Sequence, residues 1–352
     1  MSMKNLYLIC FLLLILNSIA SAQDVHFTQF TQSPLNLNPA AAGVFYGDYR
    51  ASTDYRTQWS PIGNPYSTIT ASFDMKLFKR RLYGNYIGVG LLINKDNAGA
   101  GAFGTTQVNL AVSFNKTLNA DENHFISVGA QYGYAQRSVN FANFSWDRQW
   151  NAQTATYDPN LNSYETTPNS SFWYSDLSAG IMWHYNPSEM YKFTFGIGMD
   201  HINQPLINLY PTNPADNLYK RYIIHTTDYF ALGQTATIYL VPSILYTVQG
   251  PAKEFDAGTF LMYILTDRSR YTKFVGEIDL SFGLFLRKGD AVCPAIKVGF
   301  RNFAFGLSYD VNTSSLNQAT NGSGAYEISL IYANRITHSH FRRSAPKATR
   351  FL

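Results

Sequence analysis

Residues 105–115, TTQVNLAVSFN, divide into two unlike sets: Val108, Leu110, Val112 and Phe114 on one side, Gln107, Asn109, Ala111, Ser113 and Asn115 on the other. A period of two marks a strand with one apolar face. Comparable stretches recur down the chain between polar turns. Many such strands behind an export signal are the sequence form of a transmembrane β-barrel.

The export signal occupies residues 1–22. Lys4 supplies its positive start, Leu6 to Leu16 its apolar core, and Ala20-Ser21-Ala22 a small-residue cleavage site that leaves Gln23 as the mature terminus. The apolar run falls short of the roughly 20 residues of a spanning helix. Ile9 precedes Cys10 where a lipoprotein site would place a small residue. After cleavage only Cys293 remains, so no internal disulfide supports the fold.

Composition agrees. The 352 residues include 25 Phe, 25 Tyr and 5 Trp, a heavy aromatic load, while only 14% are charged. Mean hydropathy is nevertheless slightly negative. Lipid-facing apolar residues alternating with wet lumenal ones cancel in such an average. The net charge of +4 is mild and gives no sign of nucleic-acid binding. Part of it lies in a basic tail, 335–352, with Arg335, Arg342, Arg343, Lys347 and Arg350.

The patterning predicts about fourteen antiparallel strands between 44 and 334, near 44–58, 65–78, 84–95, 103–117, 123–139, 172–186, 190–203, 219–231, 236–248, 254–265, 271–286, 292–300, 303–312 and 324–334. An even count suits a single-chain bacterial barrel with both termini in the periplasm. Alternation is blurred in the eighth to tenth. Connections after odd strands are long, notably 140–171 and 204–218. Several after even strands are tight, as in Asn119-Ala120-Asp121-Glu122 and Arg301-Asn302. Long loops outside and short turns inside are the barrel asymmetry.

The faces follow. Ile87, Val89, Leu91 and Ile93, or Phe303, Phe305, Leu307 and Tyr309, point to lipid, with Gly88, Gly90 and Gly306 among their inward partners. A charge at the bilayer midplane costs about 2–4 kcal/mol, less for carboxylates. Asp200, Glu277, Asp279, Asp310 and Glu327 therefore belong in the lumen. Trp173, Trp183, Tyr185, Tyr326 and Tyr332, near strand ends, suit the interfacial girdles. A soluble β-sandwich also has alternating strands, but it has no use for two aromatic rims or so large an apolar outer face.

No catalytic or metal-binding constellation emerges. The seven histidines form no HExxH spacing and there is no CxxC. Asn94-Lys95-Asp96-Asn97-Ala98-Gly99 resembles a calcium loop superficially, but Lys95 intrudes and position 105 is Thr where the closing Glu would stand. No cofactor is expected.

The most specific stretch is the segment 23–43, QDVHFTQFTQSPLNLNPAAAG, followed by Tyr49-Arg50 and Arg56-Thr57-Gln58-Trp59. Asn38-Pro39 starts a turn, Ala40 to Ala42 permit close packing and Gly43 permits a sharp bend. The segment either folds into the lumen as a plug or only seals the periplasmic end.

These residues resemble the opening of the PorP/SprF family, outer-membrane proteins of the type IX secretion system in Bacteroidota. The matching motifs are Gln23-Asp24, Phe27-Thr28-Gln29, Asn38-Pro39-Ala40-Ala41-Ala42-Gly43 and Arg56-Thr57-Gln58-Trp59. A second set lies near the end, around Ser308-Tyr309-Asp310 and Tyr326-Glu327-Ile328-Ser329-Leu330. The insertion at 140–171 and the basic tail depart from the family pattern.

The resemblance implies a non-enzymatic role in secretion and surface attachment of a partner, an adhesin with a type B C-terminal domain, in some members for gliding. Expected partners are outer-membrane lipid, that adhesin and translocon components. Phe144, Trp146, Trp150, Tyr157 and Tyr164 in the long loop either offer contact area to the partner or pack the loop on the rim. The rival reading is a channel for small solutes.

Overall fold

The computed structural model describes residues 24–334 apart from 80, 166–169, 208–215, 267–277 and 316. Among these, one antiparallel sheet closes on itself into a barrel of fourteen staves. They are β1 Tyr49–Gln58, β2 Tyr66–Leu77, β3 Tyr86–Ala98, β4 Phe103–Thr117, β5 His124–Ser138, β6 Ser171–Tyr185 and β7 Tyr191–Asp200. The second half comprises β8 in two pieces (Arg221–Thr227 and Tyr229–Leu232), β9 Ile238–Gln249, β10 Ala252–Thr266, β11 Ile278–Arg287, β12 Ala291–Phe300, β13 Phe303–Asn312 and β14 Ser323–Asn334. Each stave pairs with its sequence neighbour, and β1 closes the ring on β14 through Tyr49↔Asn334 to Gln58↔Ala325. The expected strands 103–117 and 303–312 match β4 and β13 in full. The expected strand 271–286 is seen from Ile278, and its first residues lie outside the described ones. So do the leader 1–22 and the basic tail 335–352.

The wall obeys the alternation. In β4, Val108, Leu110, Val112 and Phe114 are exposed on the outside, while Asn109, Ala111, Ser113 and Asn115 are buried inside. Among the described residues no helix is long and apolar enough to cross a membrane; the chain crosses with strands. Where β5–β8 approach the mouth at which β1 begins, His124, Trp183, Tyr185, Phe193 and Phe230 pack in a row, the middle contacts stacked and the outer two edge-to-face. Such amphipathic rings suit the headgroup layer.

β8 breaks at Asp228 because of its neighbour. The Asp228 N–H donates to the Pro242 carbonyl at 3.0 Å, but proline has no N–H to return. On the other side the Asp228 carboxylate accepts from the Thr194 N–H at 3.2 Å, replacing a ladder bond with a side chain. Register continues across the break, from Thr226↔Phe195 to Tyr229↔Lys192.

The lumen is filled by the chain's own beginning. From Asp24 the segment runs through short turns at Phe30–Gln32, Pro34–Leu37 and Pro39–Ala41 before entering β1. Phe27, Phe30, Leu35, Ala40, Ala42 and Phe45 are all buried. This decides the open alternative: the segment is a plug running the length of the lumen. The first and last described residues lie at opposite mouths, while Gln23 and the tail 335–352 fall outside the described residues. Asp24 meets His201 after β7 and Gln249 at the end of β9, at the loop-rich mouth. Asn334 ends β14 beside Tyr49, at the opposite mouth.

The plug touches two kinds of wall. Toward β8–β12 the inner face is apolar: Phe30 packs with Ile223, Tyr239, Val241, Leu245, Phe260, Met262 and Phe285. Toward β3–β7 the contact is close and small. A Cβ on Gly88 would stand 2.0 Å from the Ala42 carbonyl oxygen, and one on Gly129 2.5 Å from the Ala40 nitrogen. Only glycine leaves room for backbone to approach backbone so closely.

Candidate functional site

Two arginines of β1 fasten the plug at its two ends. At the mouth where β1 begins, Arg50 grips Asp74 through two bonds of 2.9 Å, and Asp74 also accepts from the Gly43 N–H at 2.7 Å. Arg50 donates to the Ala41 carbonyl as well. Gly43 has φ +72, a left-handed bend that glycine adopts freely. Lys76 of β2 donates to the Phe45 carbonyl.

Nearer the loop-rich mouth the second cluster is denser. Arg56 reaches Asp310 at 2.7 Å, Glu327 at 3.3 Å and the Thr28 hydroxyl at 2.9 Å. The Thr28 and Gln29 N–H groups donate to the two Glu327 oxygens at 2.8 and 2.9 Å, and the Thr28 hydroxyl donates to Asp310 at 2.7 Å. Arg287 joins through Asp310 at 2.9 Å, with Glu254 and Asp256 at 3.2 and 3.3 Å. Arg56, Asp310 and Glu327 are each 2% exposed or less. Charges so buried hold only because they are paired and hydrogen-bonded together.

Between the clusters, Asn38 pins the plug to the wall. Its side-chain amide donates to the carbonyls of Ile181 and Ile197, and its oxygen caps the Ala40 N–H at 2.9 Å. At the loop-rich mouth a third fastening closes the segment. His201 stands between Asp24 at 2.5 Å and Asp176 at 2.9 Å, while Gln249 donates to Asp24 at 2.8 Å and Arg221 to the Val25 carbonyl.

Burial alone would lower the His201 imidazolium, but the charge of Asp24 and the bonds to both carboxylates outweigh it and raise it to about 10. Burial would likewise raise Asp24, and the His201 charge overrides it to hold that carboxyl well below its usual range. The His201 contribution is therefore complete below its ordinary value of 6.5 and is lost as pH climbs toward 10. The Asp24 contribution is present above 3.8 and is lost in acid. A cysteine-reactive probe on a Val25→Cys variant is expected to react progressively faster above pH 6.5 than thiolate ionisation alone explains. Adding His201→Gln should remove that extra pH dependence. An identical profile with and without the histidine would refute the latch.

The lumenal carboxylates predicted from sequence divide among these features. Asp310 and Glu327 hold the plug. Asp200 is half-buried and lines a polar pocket at the loop-rich mouth. Asp279 lies on the inner face of β11, where a Cβ on Gly299 would meet its carboxyl. Glu277 lies outside the described residues. Arg287, Asp74 and His201 are not singled out by the sequence, and Asp24 only as part of the Gln23-Asp24 motif. The first two stand at inward positions of alternating strands, so inward charge of either sign was the signal.

The long loop between β5 and β6 is built around Gln149, which accepts from the Tyr157 hydroxyl at 2.8 Å and donates to the carbonyls of Pro159 and Leu161. Phe144 packs between Gly101 and Trp146, so these two rings seat the loop on the rim. Trp150, Tyr157 and Tyr164 are 56%, 41% and 73% exposed. The sequence set is thus one pair that packs and three rings that face outward. Of the 204–218 connection, Leu206–Ile207 pairs with Asp216–Asn217.

A family model described as "Type IX secretion system membrane protein PorP/SprF" matches residues 19–332. The chain belongs to the PorP/SprF family. It is thus an outer-membrane β-barrel of the type IX secretion system. No curated protein matches the sequence. Solved structures resemble it in fold. A Pseudomonas aeruginosa FadL homologue has TM-score 0.47 and 10% identity over 86% of this chain and 94% of that one. The Ralstonia pickettii toluene transporter TbuX gives 0.44 and 8% over 85% and 92%. BamA from Haemophilus ducreyi gives 0.39 and 9% over 81% and 70%.

With the family in hand, its sequence motifs acquire a physical meaning. Phe27-Thr28-Gln29, Arg56, Asp310 and Glu327, far apart in sequence, are the parts of one buried fastening. The Asn38 to Gly43 motif is the plug's close contact with the wall. What identifies this PorP/SprF chain by sequence is the apparatus that keeps its lumen filled.

Proposed function

We propose that this PorP/SprF barrel supports secretion and cell-surface attachment of one partner protein, an adhesin with a type B C-terminal domain, with gliding as one use of that adhesin. The role is non-enzymatic. The observation that supports it is the plug, fastened at both ends and between, which fills the lumen among the described residues. The barrel then acts on cargo that has crossed elsewhere in the translocon. In this reading the loop-rich mouth faces outward and the mouth where β1 begins and β14 ends faces the periplasm.

The partner's terminal domain docks on the loops of the outer mouth. Trp150, Tyr157 and Tyr164 supply large ring surfaces at low entropic cost, as aromatic anchors do at interfaces. Replacing all three by serine is expected to reduce surface display of the partner at least tenfold, the effect of losing anchors of about 1.4 kcal/mol or more. Barrel assembly, read from heat-modifiable mobility on gels, stays normal. Full display with the three serines in place would sink the docking role of this loop.

A further inference from the structure

The polar pocket at the loop-rich mouth includes the latch residues Asp24, Asp176, His201 and Arg221, but also a set of carboxamides that neither the plug fastening nor cargo docking requires. It lies between the first residues of the plug and the inner faces of β3–β8, and holds about 90 Å³ open to water. At roughly 10–15 Å³ for each water, that is room for several waters, the scale of one sugar ring. Four carboxylates line it, those of Asp24, Asp96, Asp176 and Asp200. Each has a cation at hand. His201 bridges Asp24 and Asp176. Arg221 stands directly across the ladder from Asp200. Arg137 shares a cross-strand row with Asp96 through Thr105.

With three cationic groups set against four carboxylates, the pocket carries little net charge with which to select an ion. What it presents is a dense set of donors and acceptors, including the carboxamides of Asn94, Gln107, Asn109 and Gln131, with the Tyr174 ring at one side. Gln131 is 7% exposed, and its side-chain oxygen meets no donor among the described residues. A buried acceptor left unmatched is costly, so a donor is wanted there. Ser178, across the ladder from Gln131, puts a hydroxyl in the same row.

We propose that this pocket binds a neutral polyhydroxylated ligand, one sugar ring, whose hydroxyls donate to Gln131 and to the aspartates and accept from the carboxamides and guanidinium groups. Vicinal hydroxyls both donate and accept, which is what such paired, planar side chains are built to meet. Half-buried Asp96, Thr105, Gln107 and Arg137 form the entrance from the mouth. The site is independent of the cargo reading above.

Saturation-transfer NMR tests it on the full mature chain in lauryldimethylamine oxide, a detergent without a sugar headgroup. Glucose, galactose, mannose and N-acetylglucosamine are offered singly at millimolar concentration. Signal transfer from at least one is expected. Gln131→Met, which keeps the length and removes the acceptor, should weaken it about tenfold. Ser178→Ala provides a second variant, and gel mobility confirms that both barrels are folded. A glycan array then separates two sources of the same chemistry: binding only to immobilised oligosaccharides assigns a chain-terminal unit, and binding of the free hexose as well assigns a free sugar. No transfer from any of the four together with a blank array would overturn the proposal. So would equal transfer in the wild type and both variants, or transfer from ethanolamine with none from the sugars.

Discussion

Replacing Arg56 by alanine is expected to release the end of the plug nearer the loop-rich mouth, a large effect for a single substitution. Glu327 and Asp310 stay behind in a buried site, and Glu327 loses the one ion-pair partner it has among the described residues, at 3.3 Å. Asp310 keeps Arg287 at 2.9 Å, so the damage falls mainly on Glu327 and the two plug N–H groups it holds. Breaking a buried pair from one side costs about 3–5 kcal/mol. At about 1.4 kcal/mol for each tenfold, cleavage of the plug by chymotrypsin at Phe27 or Phe30 should speed up by roughly a hundred- to several-thousand-fold. Arg56→Lys keeps a charge but loses the fork that meets Thr28, Asp310 and Glu327 together, and should fall between the two. Adding Glu327→Gln to Arg56→Ala removes the stranded charge and should recover part of the loss. An unchanged cleavage rate in Arg56→Ala would mean that the plug is held by its apolar contacts alone.

The second large effect concerns the lumen itself. Small barrels fill their interior with side chains, while those of about 16–18 strands enclose an aqueous channel. Fourteen staves lie between these limits, and here the difference is made up by chain 24–45. The full protein is expected to be silent in planar bilayers. A variant lacking residues 24–43 but keeping β1 should show steady single-channel steps. This separates the secretion reading from the solute-channel one, because a channel for small solutes conducts with its plug in place. Large steady currents from the full protein would favour the channel.

Most of the wall was legible because its signal is local. In β3, β4, β12 and β13, lipid on one side and a polar lumen on the other enforce alternation, and strand limits follow from it. The blurred strands have a physical explanation too. Tyr239, Val241, Leu245, Phe260 and Met262 point inward yet are apolar, because they face Phe30 of the plug rather than water. With both faces apolar the period of two fades. The same cause hid the break in β8, since Pro242 acts across the ladder and not within its own turn.

The site was readable only in fragments. Asp310 and Glu327 fall inside by alternation, but nothing in their spacing says that they converge on Thr28, which lies 282 residues from Asp310 and 299 from Glu327. Family motifs marked those residues without giving the reason, which is the fastening of the plug. Asp24 stood within a family motif, but its pairing with His201 had no signal, as a contact across 177 residues leaves no periodic trace. The aromatic loop was ambiguous for a simpler cause. Composition gives the rings, while only the fold separates Phe144 and Trp146, packed on the rim, from Trp150, Tyr157 and Tyr164.

The central claim is that a plugged barrel of this family serves the surface attachment of a secreted protein. The most direct measurement deletes the gene and follows, on intact cells, an antibody against an adhesin with a type B C-terminal domain that the same organism secretes. Display is expected to collapse, with the adhesin retained in the cells or released to the medium, and to return on complementation with the wild-type chain. Adhesin display that persists unchanged without the barrel would contradict the account.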